Sequence, residues 1–166
     1  TIENQNSLFE EKKLSFDDKN LFRQNIAEWT LDELLKNELE VIGFYFSSHP
    51  VSLYPKNYFL ENKIYNYEDI ISDDDIKNAK IVGSILDIKE RSNKDGRKYA
   101  FLTISNNQSQ FELSIFSDKL REFRSFIKEG RVLIFYVDIS RENSNIRMTI
   151  RKIEDLVQIF SNQKFK

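Results

Sequence analysis

The chain contains no cysteine, one histidine, four glycines and two prolines among its 166 residues. Without cysteine it can form no disulfide, no thiolate nucleophile and no cysteine-based zinc site, which is typical of proteins of a reducing cytoplasm. A single histidine cannot build a histidine metal cluster. No stretch approaches the roughly 18 uncharged apolar residues of a membrane span, and the N-terminus lacks a signal peptide pattern. We therefore expect a cytoplasmic protein without a membrane partner.

The composition is that of a globular protein, with 40% hydrophobic and 31% charged residues. A length of 166 residues and a mass of 19.8 kDa suit one domain, or a small domain with an ordered extension. The first residue is Thr1 rather than Met. This start suggests a piece of a longer protein.

The charge divides unevenly along the chain. Residues 1–78 hold eight Lys and Arg against 16 Asp and Glu, whereas residues 79–166 hold 17 against 11. The near-neutral total thus joins an acidic half to a basic half, which indicates that only the second half meets a polyanion. An ordinary solvated surface would give a similar excess, so the charge alone leaves both interpretations open.

The first half predicts a leader followed by a helical segment. Residues 1–25 are polar and read as a leader that has little reason to pack by itself, and residues 26–78 form a helical linker. Thr30 and Glu33 have the spacing of a capping box, and Gly43 predicts the end of the helix. The apolar residues with helical spacing are Leu31, Leu34, Leu35, Leu39 and Ile42.

The second half changes to the alternating pattern of strands. Turn signals occur at residues 93–96 (Asn-Lys-Asp-Gly), 106–109 and 142–145. A helix is expected to begin at Ser117 and to be closed by Gly130. The five strands are expected at residues 80–91, 98–104, 110–116, 131–140 and 146–151, and a short helix from Asp155. Gly83, inside the first strand, predicts a bend or a bulge.

The order β-β-β-α-β-β is that of the five-stranded OB-fold barrel. The predicted class is therefore α+β, mostly β, with an OB-fold domain at residues 79–155 preceded by a helical segment. Residues 156–166 form a C-terminal tail or short helix. Barrels of this kind commonly bind oligonucleotides on strands 2 and 3 and through the loops that join strands 1–2 and 4–5.

The second strand carries the candidate binding residues. Its small and aliphatic residues (Ala100, Leu102, Ile104) alternate with Tyr99, Phe101 and Thr103. If the aliphatic set faces the interior, the rings lie on the outer surface, where bases can stack on them. The alternative is that Tyr99 and Phe101 face the core and the nearby cations only solubilise the turn.

Basic residues flank this strand on both sides. Lys and Arg neutralise the phosphates of a bound strand. The candidates near the first hairpin are Arg91, Lys94, Arg97 and Lys98. Those near the last hairpin, which could form the opposite wall, are Arg141, Arg147, Arg151 and Lys152.

No catalytic residue, metal ligand or cofactor site is predicted. His49 precedes Pro50 at a helix end, where capping or packing explains it better than chemistry. The acids at residues 73–75 point in different directions and lack a ligand framework. No phosphate-binding loop or nucleophile motif is present.

The leader contains two adjacent apolar residues in a polar context. Leu8 and Phe9 follow Gln5 and Ser7. Two apolar anchors on a segment that cannot bury them suit a partner-binding peptide.

These residues together resemble the C-terminal region of bacterial replicative DNA polymerase III α subunits. Trp29 and residues 38–54 (ELEVIGFYFSSHPVSLY) resemble the segment before the OB module of that family. Residues 94–104 (KDGRKYAFLTI), 111–116 (FELSIF) and 129–140 (EGRVLIFYVDIS) resemble the OB module itself. The departures are Ser48, where glycine is usual, and the turn residues Asn106 and Ser109. Strand 2 also resembles the anticodon-binding OB module of class II aminoacyl-tRNA synthetases.

The resemblance implies a function in DNA replication. Gln5, Ser7, Leu8 and Phe9 match the family's internal peptide for the sliding clamp (the β subunit). The OB module would bind single-stranded template DNA, and other subunits of the holoenzyme would be partners. Polymerase activity, with its Mg²⁺, would belong to the longer parent protein and not to this fragment. The alternatives are an RNA-binding anticodon-type module and a protein-docking module of the replisome.

Overall fold

The computed structural model describes residues 30–163. The leader residues Gln5, Ser7, Leu8 and Phe9 lie outside this range. Helix α1 spans Leu31–Ile42, as predicted, and ends at Gly43, whose positive φ of 84° suits a residue without a side chain. No helix within residues 30–163 is long and apolar enough to span a membrane.

Short elements connect α1 to the sheet. A 3₁₀ helix spans Pro50–Leu53, α2 spans Lys56–Glu61, β1 spans Ile64–Tyr65 and α3 spans Tyr67–Ser72. Strand β1, which the sequence did not predict, pairs in parallel with the beginning of the long strand that follows. A strand of two residues has no alternating pattern, so the sequence carries no signal that would predict it.

Five longer strands and two helices complete the chain. The strands are β2 (Asn78–Ser92), β3 (Lys98–Ser105), β4 (Gln110–Ile115), β5 (Val132–Glu142) and β6 (Asn145–Asp155). Helix α4 spans Ser117–Glu122 and α5 spans Leu156–Gln163. Helix α4 is shorter than predicted because Phe123 leaves helical geometry while Phe123 and Ile127 still pack into the core.

The five long strands close into a barrel, which confirms the predicted OB fold. The order of the sheet is β1-β2-β3-β4-β6-β5, and β2 also pairs with β5. The first half of β2 pairs with β5 and the second half with β3. The parallel contact of β4 with β6, at Ser114 and Thr149, completes the ring.

Strand β2 changes partner at Ser84, which pairs with Val132 of β5 and with Ser105 of β3. A Cβ on Gly83 would lie 2.3 Å from Ile104 Cγ2 and 2.7 Å from the Ser105 carbonyl oxygen. Glycine is therefore required for the close approach of β3. The register shift itself occurs between Ile85 and Asp87, so the bulge predicted at Gly83 lies a few residues further on.

The hydrophobic residues form two clusters on the two sides of the β2–β5 part of the barrel wall. The interior of the barrel contains buried residues from every long strand and from α4. A second cluster contains Val82 and Ile134 from these strands, Val51 from the 3₁₀ helix and Leu156 from α5. Within it, the ring of Phe160 lies 5.3 Å from that of Tyr54 and 5.0 Å from that of Tyr58. The segment before the barrel and the helix after it thus pack together on the outside of β2 and β5.

Candidate nucleic-acid interface

The two sides of β3 differ in the way that the alternating pattern predicted. Ala100, Leu102 and Ile104 are fully buried in the barrel interior. Tyr99, Phe101 and Thr103 lie on the opposite side of the strand and remain partly exposed. The rings therefore lie on the outside of the barrel, where a ligand can reach them.

Three aromatic rings form a cluster on this outer surface. The ring centroids of Tyr99 and Phe101 are 5.7 Å apart with perpendicular planes, and those of Tyr99 and Phe116 are 6.3 Å apart. Phe116, which is 50% exposed, was not among the predicted site residues. Its signal was present in the sequence, because Phe111, Leu113 and Ile115 alternate inward and place residue 116 outward. We call Tyr99, Phe101 and Phe116 the aromatic cluster.

Cations on β2 lie beside this cluster. The strand register pairs Arg91 with Tyr99 and Lys89 with Phe101, and side chains at paired positions share one face of a sheet. Lys89 was missed by the sequence prediction, because only the register of β2 against β3 identifies its neighbour. Each cation of this pair is next to an aromatic ring.

The charge of the outer face changes along β3. Thr103 pairs with Asp87 on one side and with Glu112 on the other. Asp87 also forms an ion pair with Lys89, with Nζ 3.7 Å from Oδ2. The face is thus aromatic and basic towards the β2–β3 turn and acidic towards Thr103.

The cations of the β2–β3 turn are exposed. The turn is shaped by Asn93, whose Oδ1 accepts the backbone N–H groups of Asp95 and Arg97 at 3.0 and 2.8 Å. Gly96 has a φ of 74°, a backbone conformation that glycine adopts more easily than other residues. Within residues 30–163, no ion pair is formed by the four predicted cations of this hairpin, Arg91, Lys94, Arg97 and Lys98. Their charges are therefore available to an anionic ligand.

The cations predicted for the opposite wall differ in whether an acidic side chain already binds them. Arg147 is exposed on β6. Arg151 is also exposed, but its Nε lies 3.1 Å from Asp138 Oδ1, and Lys152 Nζ lies 2.7 Å from Glu154 Oε1. Arg147 is therefore the stronger candidate of the three for a phosphate contact.

Arg141 makes structural contacts that argue against the phosphate contact predicted for it. Its Nη1 donates to the carbonyl oxygen of Ile76 at 2.6 Å, and its Nη2 donates to those of Ile70 and Asp73 at 2.6 and 2.8 Å. Its Nε lies 3.2 Å from Asp74 Oδ1, and the side chain is only 17% exposed. The guanidinium group therefore joins α3 and the segment after it to β5, and its largely buried position leaves it poorly placed for a phosphate.

His49 has the capping role that its position predicted. Its Nδ1 accepts the backbone N–H of Val51 at 3.1 Å at the start of the 3₁₀ helix, and its Nε2 lies 2.9 Å from Ser105 Oγ. Because Nδ1 is the acceptor, Nε2 carries the proton and donates to the hydroxyl. Burial of the ring lowers the pKa of His49 from 6.5 to about 4, so the ring is neutral near pH 7.

Comparisons with known proteins agree with the sequence and the fold. Residues 79–156 match the family of OB-fold nucleic acid binding domains. The chain is 28% identical over 157 residues to the DNA polymerase III subunit alpha of Aquifex aeolicus, covering 93% of this chain and 13% of that protein. It is 30% identical over 127 residues to that of Buchnera aphidicola, covering 74% of this chain and 11% of that protein. The predicted resemblance is thus confirmed, and the chain spans about a tenth of the length of these relatives.

Among solved structures, the chain is similar to a mitochondrial single-stranded DNA binding protein from S. cerevisiae, Rim1. The TM-score is 0.42 at 16% identity, and the match covers 49% of this chain and 96% of that chain.

Proposed function

We propose that the OB-fold domain binds single-stranded DNA on the outer β3–β4 face, as the template-binding module of a replicative DNA polymerase. The observation that carries this proposal is the aromatic cluster flanked by Arg91, Lys94, Arg97 and Lys98, which form no ion pair within residues 30–163. Stacking of a base on an aromatic ring contributes roughly 1–3 kcal/mol whatever the base, and nearby Lys and Arg neutralise the phosphates. The similarity of most of the chain to DNA polymerase III α subunits supports the replicative setting.

Single-stranded rather than double-stranded DNA suits this surface. The rings of the aromatic cluster can stack only on bases that are unpaired and accessible, as they are in a single strand. Ring faces have no donor or acceptor pattern that would distinguish one base from another. We therefore expect binding that tolerates any sequence.

The fragment itself would be non-catalytic. Within the proposed polymerase, the active site and its Mg²⁺ would lie in other parts of the longer protein, and other holoenzyme subunits would be its partners. The leader would tether the polymerase to the sliding clamp: Leu8 and Phe9 would enter an apolar pocket while Gln5 and Ser7 make polar contacts at its edge. A tether acts through effective concentration, so even a micromolar peptide would keep the enzyme on DNA.

Fluorescence anisotropy with labelled oligo-dT tests the DNA-binding proposal. If about four phosphates are neutralised, raising the salt from about 50 to about 200 mM weakens binding roughly fifty-fold. An RNA oligonucleotide of matching sequence tests the anticodon-type alternative, which predicts a preference for RNA. The docking alternative predicts no binding of either oligonucleotide at low salt, and that result would reject the proposal.

A separate experiment tests the leader. The substitution Leu8→Ala with Phe9→Ala should abolish binding of the chain to the cognate sliding clamp in surface plasmon resonance. Leu14→Ala with Phe16→Ala removes the same residue types from the same leader outside the motif and should leave binding unchanged. Equal loss in both variants, or in neither, would contradict the assignment of the peptide.

A further inference from the structure

A cleft of about 760 Å³ lies between the β2–β3 turn and helix α4. The turn contributes Asp95 and Arg97 to its lining, and β3 contributes its first residue, Lys98. On the other side, Asp118 and Arg121 come from α4, and Arg124 follows that helix. The cleft is therefore formed by two segments that are distant in sequence and carry mostly basic side chains.

The cations of the cleft exceed its acids. Four cations and two carboxylates line it, which leaves an excess of two positive charges. In the part of the chain that the structure describes, Arg97, Lys98 and Arg121 form no ion pair, whereas Arg124 pairs with Glu90. The excess is two positive charges when Arg124 is free and one while Arg124 pairs with Glu90, which fits one or two phosphates rather than a long polyanion.

The cleft begins where the aromatic cluster ends. Lys98 directly precedes Tyr99 on β3, and Phe116 directly precedes Ser117, which is another lining residue. The ring of Tyr99 lies 6.3 Å from that of Phe116. The cleft therefore adjoins the aromatic cluster at Phe116 and Ser117, whereas the side chain of Lys98 lies on the side of β3 opposite that of Tyr99.

The chemistry of the lining suits phosphates better than bases. Leu120 is the apolar residue of the lining, and it is 97% buried in the core with 3% exposed, so it offers no ring or apolar surface for stacking. Arginine side chains bind phosphate oxygens through two parallel N–H bonds.

We propose that this cleft holds one or two phosphates of the nucleotides that continue beyond those stacked on the aromatic cluster. The bound strand would thus leave the sheet and pass between the β2–β3 turn and α4. Arg121 is the residue that defines this extension, because it has no ion pair among residues 30–163 and lies outside the surface proposed for the stacked bases. The inference rests on the proposed binding of single-stranded DNA.

The test compares two oligonucleotide lengths with two single-charge variants. OB folds bind roughly 4–16 nucleotides, so oligo-dT of about 5 residues would fill the aromatic cluster and oligo-dT of about 10 would also reach the cleft. Anisotropy is measured at about 50 mM salt for the wild type, for Arg121→Ala and for Lys128→Ala. Lys128 is also exposed and is outside the cleft lining, so it controls for the loss of one charge.

We expect Arg121→Ala to weaken binding of the longer oligonucleotide roughly five- to tenfold. The salt slope, which is the steepness with which the logarithm of the binding constant falls with the logarithm of the salt concentration, should decrease by about 0.7, the contribution of one phosphate. Binding of the shorter oligonucleotide should stay unchanged, and Lys128→Ala should leave both unchanged. If both lengths bind but Arg121→Ala behaves like Lys128→Ala, the cleft proposal is wrong while the DNA-binding proposal stands. If neither length binds the wild type, both proposals are wrong.

Discussion

His49 donates from Nε2 to the hydroxyl of Ser105, at a distance of 2.9 Å, across 56 residues of sequence. Ser105 is the last residue of β3, the strand that carries the proposed stacking rings. The other ring nitrogen of His49 accepts the N–H of Val51. One imidazole thus fixes both the start of the 3₁₀ helix and the end of β3.

Two substitutions separate these roles of His49. The amide of His49→Asn can replace Nδ1 and keep the cap, whereas that of His49→Gln reaches towards Ser105 but loses the cap. Either variant leaves one buried polar partner unsatisfied, so each should lower the free energy of unfolding by about 1–3 kcal/mol. Urea denaturation measures this change, and His49→Ala, which loses both bonds, should be less stable than either. Equal stability of all four proteins would contradict the roles assigned here.

The stability of the protein should depend on pH through His49. Its pKa is lowered by burial from 6.5 to about 4, so between these values the unfolded chain binds more protons than the folded one. The contribution of His49 to stability is therefore complete above pH 6.5 and is lost as the pH falls towards 4. The free energy of unfolding should fall more steeply over this window in the wild type than in His49→Asn. If the free energy of unfolding of the two proteins changed with pH in parallel, the pKa of His49 would be the same in the folded and the unfolded chain, which would contradict this prediction.

Removal of one ring of the aromatic cluster should weaken DNA binding without unfolding the barrel. The substitution Phe101→Ala should cost about 1–3 kcal/mol of binding free energy for oligo-dT, because one stacked base loses its partner. The substitution Tyr65→Ala, which removes a 38% exposed ring on β1, should leave the affinity unchanged. Anisotropy gives the affinities and thermal melting checks the fold. Equal affinities of Phe101→Ala and Tyr65→Ala would reject the stacking role.

Arg141 and Arg147 should behave in opposite ways. Loss of the Arg141 side chain leaves the carbonyl groups of Ile70 and Ile76 without their donors, so Arg141→Ala should lower the free energy of unfolding by about 2–4 kcal/mol. Its salt slope for oligo-dT should not change. Arg147→Ala should alter stability by less than about 0.5 kcal/mol and reduce the slope by about 0.7. Urea denaturation and salt titration of binding distinguish the two. A reduced slope in Arg141→Ala would restore that residue to the binding surface.

The sequence by itself determined the barrel and the orientation of β3. Strict alternation of aliphatic residues with Tyr99, Phe101 and Thr103 fixes which side is buried, because side chains in a strand point alternately to its two faces. The turn at residues 93–96 and the glycine at its end located the first hairpin. These signals are local, so they can be read from neighbouring residues alone.

Only the tertiary structure decided which cations are free to bind a ligand. Arg141 and Arg147 look alike in the sequence, but the partners of Arg141 lie 65 to 71 residues away on α3 and the segment after it. Lys89 and Arg121 became candidates only when the strand register and the packing of α4 gave them neighbours. The charge that a side chain can offer depends on which distant groups already bind it, and the folding of the chain determines those contacts.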